Sequence, residues 1–434
     1  RDYHGMMLTT KISRFFYDIF TYLVSPLLIL HLIFRSISDQ RYTERIPERF
    51  GFYEKDNNHD SIWVHAVSYG EVNAAQSLVR SLLEENPGHK IVFTCTTPTG
   101  SALIKELFDD RVSSVYLPYD LKGPVKRFFK WAKPKIAIII ETEIWPNIYH
   151  YCGKREIPLI LASACISDDS MKKYSILFGL FKDSVSQGIV VAAQSDEDAQ
   201  KFISLGAKQE RTFVTGNLKF DTEINLNSSM DVDLFKNKFM GHRFSWTAGS
   251  THDREEIEAI RAHKSIKDKI PNALLILAPR KPERFHVVSK ILDQSGLSYC
   301  KWSESKEKKI DSDVLLVDTL GDLLFFYSVS DVSFVGGSLF DIGGHNLIEP
   351  AILMKPILTG PKLDNVQEIA DQFRSNQAII IVSNHKDLSN SIIDLSDDKE
   401  RCHEMTSNAK QVIEKNKGSK QKILQLIQPL IELH

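Results

Sequence analysis

The densest chemistry in this chain lies in Gly336-Gly337-Ser338-Leu339-Phe340-Asp341-Ile342-Gly343-Gly344-His345-Asn346-Leu347, followed by Ile348-Glu349-Pro350. An apolar run, Val332 to Val335, leads into the first glycine pair, and the second pair leads into the start of a helix. Glycine lets backbone N–H groups crowd an anion, and a helix N-terminus adds partial positive charge there. Glu349 falls about one turn further in, where a carboxylate can accept hydrogen bonds from sugar hydroxyls. The combination suits a nucleotide sugar, with phosphate on the amides and ribose on the acid. An ordinary glycine-rich βα bend has the same local pattern, and these residues alone do not choose between the two.

Further polar groups stand at the ends of apolar runs. Trp63 to Val67 lead into Ser68-Tyr69-Gly70-Glu71, a small-residue turn with a carboxylate at a helix start. Glutamate there also complements the helix dipole, so Glu71 by itself is ordinary. Glu141-Thr142-Glu143 follows the run Lys135 to Ile140, and nothing in the local pattern requires both acids. Glu71 and Glu141 would share one crevice if their strands are close neighbours in a sheet. In the second half, Ala248-Gly249-Ser250-Thr251-His252 is a strand followed by a hydroxyl-rich turn. Pro279-Arg280 opens a basic loop whose guanidinium could grip phosphate or carboxylate bidentately, or simply be a solvated charge. Val317 to Asp322 is another strand-end turn, containing Leu320, Gly321 and Asp322.

These side chains need a scaffold, and the hydropathy pattern supplies one. Short apolar runs alternate with helical periods: Ser61–Val67, Ile91–Thr96, Lys135–Ile140, Pro158–Ala162 and Gly188–Ala193, then Phe244–Gly249, Ala273–Ala278, Val314–Val317, Val332–Val335, Pro356–Leu358 and Ala378–Val382. Uninterrupted apolar runs suit strands buried on both faces of a parallel sheet, and the alternation argues for βαβ units. At 434 residues the chain exceeds one ordinary core, so two α/β domains are expected, with a hinge near Gly216 to Asp221. In doubly wound folds ligands bind beyond the carboxyl ends of the strands, where these polar residues fall.

Composition narrows the class. With 42% hydrophobic and 25% charged residues and a net charge of −2, the chain is globular and not a nucleic-acid-coating protein. Its five dispersed cysteines show no metal spacing and read as reduced thiols of a cytoplasmic compartment. No GxGxxG opens the first βα turn, and neither GxxxxGK[ST] nor GxSxG occurs. Asp311-Ser312-Asp313 has the spelling of a metal-held acidic pair but precedes its apolar run, and is expected to be a surface turn. Phe15 to Phe34 is nearly continuous apolar sequence of about membrane-spanning length, interrupted by Asp18, Pro26 and His31. It is expected to be an N-terminal anchor that either spans the bilayer or lies in its interface, with a buried core helix as the alternative. Arg41, Arg45 and Arg49 recur every four residues and would align on one helical face if Pro47 allows a short helix there. The start at Arg1 raises the question of whether Arg1 to Gly5 is the native beginning.

Taken in order, the motifs resemble the Kdo (3-deoxy-D-manno-octulosonic acid) transferases of Gram-negative lipid A assembly, glycosyltransferase family 30. They are ERFGFY (48–53), HAVSYGE (65–71), TPTGS (97–101), VYLPYDL (115–121), ETEIWPN (141–147), TGNLKFD (215–221), APRKPERF (278–285) and FVGGSLFDIGGHNLIEP (334–350). The resemblance implies a GT-B glycosyltransferase, α/β, with two Rossmann-like doubly wound parallel-sheet domains facing a cleft. Its parts would be an anchor over 1–40, an acceptor domain over 41–215, a CMP-Kdo domain over 216–405, and a helix over 406–434 packing back on the first domain. It implies metal-independent, inverting transfer of Kdo from CMP-Kdo to a lipid A precursor (lipid IVA), without a cofactor or nucleic acid, at the cytoplasmic side of the inner membrane.

By the same resemblance, Glu71 is the general base and Glu141 a further functional carboxylate. Donor contacts fall on Pro279 and Arg280, on Leu320, Gly321 and Asp322, on the glycines Gly343 and Gly344, and on Asn346, Leu347, Ile348 and Glu349. Asp322 replaces the glutamate familiar at its place. A base with an ordinary carboxylate pKa of about 4.3 would be ionised at neutral pH. A GT-B transferase using another nucleotide sugar on a membrane acceptor is the alternative. A membrane protein that binds the ligand without turnover leaves the paired acids unexplained.

Overall fold

The computed structural model describes residues 2–37, 40–54, 60–167, 170–172, 188–221, 231–305 and 308–432, with side chains from Arg14 onward. Arg1 and the side chains of the first residues, Lys11 included, lie outside the described residues, as does Leu433 at the end of the last expected helix. The chain divides into two compact units: Arg1–Thr222 with Asn416–His434, and Glu223–Lys415.

Each unit is built on a seven-stranded, wholly parallel sheet. In the first, β1 is Ser61–His65, β2 Lys90–Cys95, β3 Val112–Tyr116, β4 Pro134–Ile140, β5 Leu159–Ala164, β6 Val190–Ala193 and β7 Thr212–Val214. Their spatial order is β3-β2-β1-β4-β5-β6-β7. In the second, β8 is Ser245–Thr251, β9 Leu274–Pro279, β10 Tyr299–Lys301, β11 Val314–Leu316, β12 Val332–Val335, β13 Ile357–Thr359 and β14 Ile379–Ile381. Their order is β10-β11-β9-β8-β12-β13-β14. The order therefore reverses once in each sheet, between β1 and β4 and between β8 and β12. At such a switch point the flanking connections depart to opposite faces and leave a crevice.

The apolar runs work as the pattern requires. In β4, Ile136, Ile138 and Ile140 enter one core cluster, whereas Ala137 and Ile139 enter another on the opposite face. Period-two alternation with both faces apolar is the signature of a strand covered on both sides. The strands the hydropathy pattern missed are β3, β7 and β10, which form three of the four sheet edges. Their sequences, VSSVY, TFV and YCK, are only partly buried and carry little apolar signal.

Helix Tyr69–Glu85 buries Val72, Ala75, Leu78, Val79 and Leu82, a one-sided stripe at helical spacing. The last helix, Ser419–Glu432, adds Ile423, Leu424, Ile427 and Ile431 to the same core cluster as Val64 and Ile138. Its start is capped by Asp221, whose carboxylate accepts from the Gly418 and Lys420 amides at 2.7 and 2.5 Å.

The N-terminal helix runs from Asp2 to Ser36, and its Arg14–Ser36 part is long and apolar enough to cross a membrane. Phe15, Phe16, Phe20, Leu23, Leu30 and Phe34 are exposed. Its polar side chains turn to the first unit instead. The Tyr17 hydroxyl donates to Asp120 at 2.9 Å, the Tyr22 hydroxyl accepts from the Gly123 amide at 3.1 Å, and Arg14 donates to the Pro146 carbonyl at 3.3 Å.

The three arginines after this helix do not share one helical face. Arg41 lies in a short 3-10 turn, Arg45 has a left-handed backbone (φ 54°), and the helix that follows, Ile46–Arg49, is a single turn with Pro47 near its start. Both Arg45 and Arg49 sit over the Tyr116 ring, at 4.5 and 4.1 Å, so they fasten the connector to the domain.

Candidate functional site

The switch point of the first sheet gathers acids. Because β1 and β4 are hydrogen-bonded neighbours, the loops that follow them emerge side by side. The turn after β1 carries Glu71 into the first turn of helix Tyr69–Glu85, and Glu71 Oε2 accepts from the Val67 amide at 2.5 Å. Glu141 comes directly after β4 with a left-handed φ of 58°, a conformation costly for a residue with a side chain, and its amide is tied to the Ala162 carbonyl. Lys219 reaches Glu141 with Nζ–Oε1 at 2.6 Å. That lysine is set by a buried polar lattice. Ser163 Oγ accepts from the Leu218 amide, Gln194 donates to the Ser163 carbonyl, and Asn217 donates to Gln194.

Crowding changes the chemistry of this cluster. Burial, then the Glu141 charge, pushes the Glu71 carboxyl up to about 8, while the Val67 hydrogen bond and Lys219 oppose the rise. Glu143 is pushed up to about 7 by burial and by Glu141. The ordinary carboxylate pKa expected from sequence therefore fails for Glu71: neighbouring acids in a poorly solvated pocket cannot all ionise cheaply, and they titrate as a group. A carboxyl held near neutral pH is a stronger proton acceptor than a solvated one, which is how general bases are tuned.

Glu143 is held through the next helix, Pro146–Lys154. Tyr149 Oη donates to the Glu143 carbonyl at 2.8 Å, and Asp120 accepts from the Asn147 and Ile148 amides at 2.9 and 3.0 Å. Asp120 is the same carboxylate that Tyr17 of the N-terminal helix reaches, and burial pushes it up to about 6.

In the second unit the glycine loop follows β12 and lies beside the turn after β8. Its opening amides already hold an anion, and that anion belongs to the protein. Glu255, buried at the start of helix Glu255–Lys269, accepts from the Gly337 amide at 2.7 Å and from Ser338, Leu339 and His252 at 2.9 Å each. These amides are therefore taken by a side chain of the protein itself, which leaves the second glycine pair as the part of the loop expected to meet the donor. Gly336 packs where a Cβ would lie 2.8 Å from the Ser250 carbonyl, so close approach explains that glycine. At the second pair, Gly343 and Gly344 have φ of 104° and 80°, and the Gly344 amide donates to the Gly337 carbonyl.

The helix that follows is shorter than expected. Ile348–Ile352 has five residues, and Asn346 Oδ1 already accepts from the Ile348 amide at 3.0 Å. Asn346 also donates to Glu349 at 3.1 Å. Burial raises the Glu349 carboxyl, with Asn346 and the positive charge of Arg280 opposing the rise. Leu347 and Ile348 are core side chains that pin the loop.

Two histidines complete this cluster. His252 Nε2 and His345 Nε2 are 2.8 Å apart. Burial, with the charges of His252 and Arg280, pushes His345 down to about 3. Arg280 is exposed at the end of β9, with its amide tied to the Thr251 carbonyl. Leu320 is exposed, Gly321 has φ 90°, and Asp322 accepts from Trp302 Nε1 at 3.1 Å and Thr319 Oγ1 at 2.5 Å. Helix Leu323–Val329 then brings Tyr327 over β8, where a Cβ on Gly249 would lie 2.2 Å from its hydroxyl. Among the described residues no group of three or more His, Cys, Asp or Glu side chains is placed to hold a metal ion.

Residues 44–222 match the family model of 3-deoxy-D-manno-octulosonic-acid transferase (kdotransferase). The 3-deoxy-D-manno-octulosonic acid transferase of Haemophilus influenzae is 35% identical over 422 residues, covering 96% of this chain and 99% of that protein. The chain belongs to the Kdo transferase family. The Bordetella pertussis enzyme of the same name is also 35% identical, over 71% of this chain and 73% of that protein. Among solved structures, the UDP-GlcNAc 2-epimerase of Neisseria meningitidis bound to UDP-GlcNAc superposes with a TM-score of 0.55 at 12% identity, over 85% of this chain and all of that one. The Staphylococcus aureus MnaA–UDP structure gives 0.53 at 14% identity, over 86% of this chain and 98% of that one. These similarities establish a GT-B architecture, and the family makes the protein a glycosyltransferase.

Within this Kdo transferase, the sites named from sequence fall into two groups, one at each switch point. Glu71 and Glu141 come together in the first unit, and Arg280, Asn346 and Glu349 in the second, with His345 beside them. Asp322 is held inside its own turn by Thr319 and Trp302. Sequence reasoning marked Glu143 only as half of an unexplained acidic pair, and passed over Lys219, Glu255 and the His252–His345 pair as site residues. Lys219 lay in a quoted motif, TGNLKFD, and His252 in a quoted strand-end turn. Glu255 gave no signal beyond an acid in a helix first turn.

Proposed function

We propose that this Kdo transferase moves Kdo from CMP-Kdo to a lipid A precursor, lipid IVA, by inverting transfer that uses no metal ion, at the cytoplasmic face of the inner membrane. The observation that carries the reading is the cluster of Glu71, Glu141, Glu143 and Lys219 at the first switch point. Glu71 takes the proton of the acceptor hydroxyl as its oxygen attacks the anomeric carbon and CMP departs from the opposite face. Glu141 holds the proton affinity of Glu71 high, and Lys219 limits the rise.

The departing phosphate charge meets Arg280 and the stretch from Gly343 to Leu347, the part of the glycine loop not occupied by Glu255. Asn346 and Glu349 are placed for hydroxyls of the donor. Fixed donors and cations aimed at a leaving group are worth most where water is excluded.

The N-terminal helix supplies the membrane contact. Hydrogen bonds from Arg14, Tyr17 and Tyr22 tie its first part to the domain, leaving at most the 14 residues from Leu23 to Ser36, about 21 Å of helix, within which Leu32 is buried. That is short of a hydrocarbon core of about 30 Å. The helix therefore lies in the interface, polar side on the domain and phenylalanines in lipid.

The test is to incubate wild type and Glu71→Ala with CMP-Kdo and a tetra-acylated lipid A precursor, and to weigh the products by mass spectrometry. Wild type yields Kdo adducts. Glu71→Ala yields none, while its CMP affinity by calorimetry is unchanged. Wild-type turnover by the variant removes the base assignment. Displacement of the donor by UDP or ADP rather than CMP points to another nucleotide sugar.

A further inference from the structure

The second unit has another concavity, at the end of the sheet away from the glycine loop. A cavity of about 580 Å³ opens before the first residues of β8, β12 and β13, lined there by Phe244, Asp331 and Lys355. Its other wall is helix Lys399–Asn416, which presents Lys399, Cys402, His403 and Thr406 at the spacing of a single helical face. The residues assigned to the donor follow β9, β11 and β12, whereas these precede their strands, so the two sites lie at opposite ends of one parallel sheet.

The charge of this cavity is lopsided. Among the described residues Lys236, Arg243, Lys355 and Lys399 line it, against one acid, Asp331. Asp331 is already engaged: one oxygen meets Lys236 at 3.1 Å, and the other accepts from the Ser245 amide at 2.9 Å. Arg243 donates to four neutral carbonyls, of Asn272, Ile310, Ser312 and Ala273, which satisfy its hydrogens without cancelling its charge. Its acidic neighbours Asp311 and Asp313 are paired with Lys309 and Lys267.

Lys355 stands out most. It is half-buried, and its ammonium has no hydrogen-bond or ion-pair partner among the described residues. Burial and the neighbouring Lys236 push it down to about 8, with the Asp331 charge, already paired with Lys236, opposing the fall. A partly desolvated ammonium facing other cations is unfavourable until an anion joins it.

We propose that this cavity is a second ligand site of the enzyme, taking a small soluble compound that carries phosphate groups. Lysines act as point-charge partners for phosphate, and several uncompensated cations match its multiple charge better than they match a lone carboxylate. A lipid headgroup shares that chemistry. However, Met354 is the one strongly exposed large hydrophobic on the cavity wall, in contrast to the phenylalanine-rich N-terminal helix, so a soluble source fits better.

Calorimetry with inorganic pyrophosphate tests this on full-length protein first saturated with CMP, so that the donor site is filled. Pyrophosphate is expected to bind, with uptake of protons near pH 8 as the anion restores the ammonium form of Lys355, seen by comparing buffers of different ionisation enthalpy. Lys355→Met and Lys399→Met should each weaken binding by about tenfold or more, the weight of a charge-assisted hydrogen bond. Lys355→Arg should retain most of it, and CMP affinity should stay unchanged in all three, which reports folding. No pyrophosphate binding to the CMP-saturated protein, or equal affinity in Lys355→Met, overturns the proposal. Displacement of pyrophosphate by dihexanoyl-phosphatidylglycerol would overturn the soluble source.

Discussion

The two switch points solve opposite electrostatic problems with the same residue type. In the first unit, Glu71 has one amide partner and two acidic neighbours, and its carboxyl is driven up to about 8. In the second, Glu255 is at least as buried, yet four amides converge on it. An acid short of donors and crowded by like charge binds a proton more tightly and, once ionised, accepts one more readily, as the proposed base role requires. An acid on which four amides converge is a structural tie that organises a loop. Position in the fold therefore says little about role. The number of N–H groups aimed at each carboxylate decides it.

The contrast can be broken from either side. Glu255→Ala should have the largest effect, because it strands four converging amides. Destabilisation of about 3 kcal/mol or more is expected, with donor binding lost as the loop relaxes. Denaturant midpoints and CMP titration would measure both, and an unchanged midpoint would show that water replaces the carboxylate at no cost.

The first unit can be tuned more gently. Glu141→Gln removes a like charge that raises Glu71, so the acid limb of kcat/KM should move to lower pH. Lys219→Met removes an opposing charge and should move it up. Limbs that stay put, or move together, would detach the Glu71 titration from activity. The same shift bears on stability. Glu71 keeps its proton to about pH 8 in the folded chain, against an ordinary value of 4.5, so stability should decline as pH rises through that window. Glu71→Gln should remove that part of the decline in a thermal-melt series.

The smallest effect concerns the N-terminal helix. Tyr17→Phe deletes one hydrogen bond to Asp120, worth about 1 kcal/mol. Since Asp120 caps the helix whose Tyr149 holds the Glu143 carbonyl, a few-fold fall in kcat with unchanged donor KM is expected. A loss confined to membrane binding would make the contact an anchor alone.

Much of this was legible in the chain. Eleven apolar runs gave the parallel α/β architecture, since a strand covered on both faces must be apolar throughout, as KIAIII is in β4. The edge strands β3, β7 and β10 escaped because a half-covered strand needs few apolar residues. Ordered motifs gave the family, whose resemblance added Asn346, and strand-end polar residues marked Glu71, Glu141, Arg280 and Glu349 as candidates.

What the amino-acid order could not state is which charges meet. The strands that precede Glu71 and Glu141, β1 and β4, are separated by two further strands along the chain, and only the β1–β4 pairing makes the two acids neighbours. Lys219 reaches Glu141 because a buried lattice of Ser163, Gln194 and Asn217 sets its turn. Glu255 takes the amides that the glycine pattern seemed to reserve for a ligand, because β8 and β12 lie side by side. Burial pattern and local propensity are written residue by residue. Proton affinities and the occupancy of an anion nest depend on distances across the sheet, and those exist only once the chain has folded.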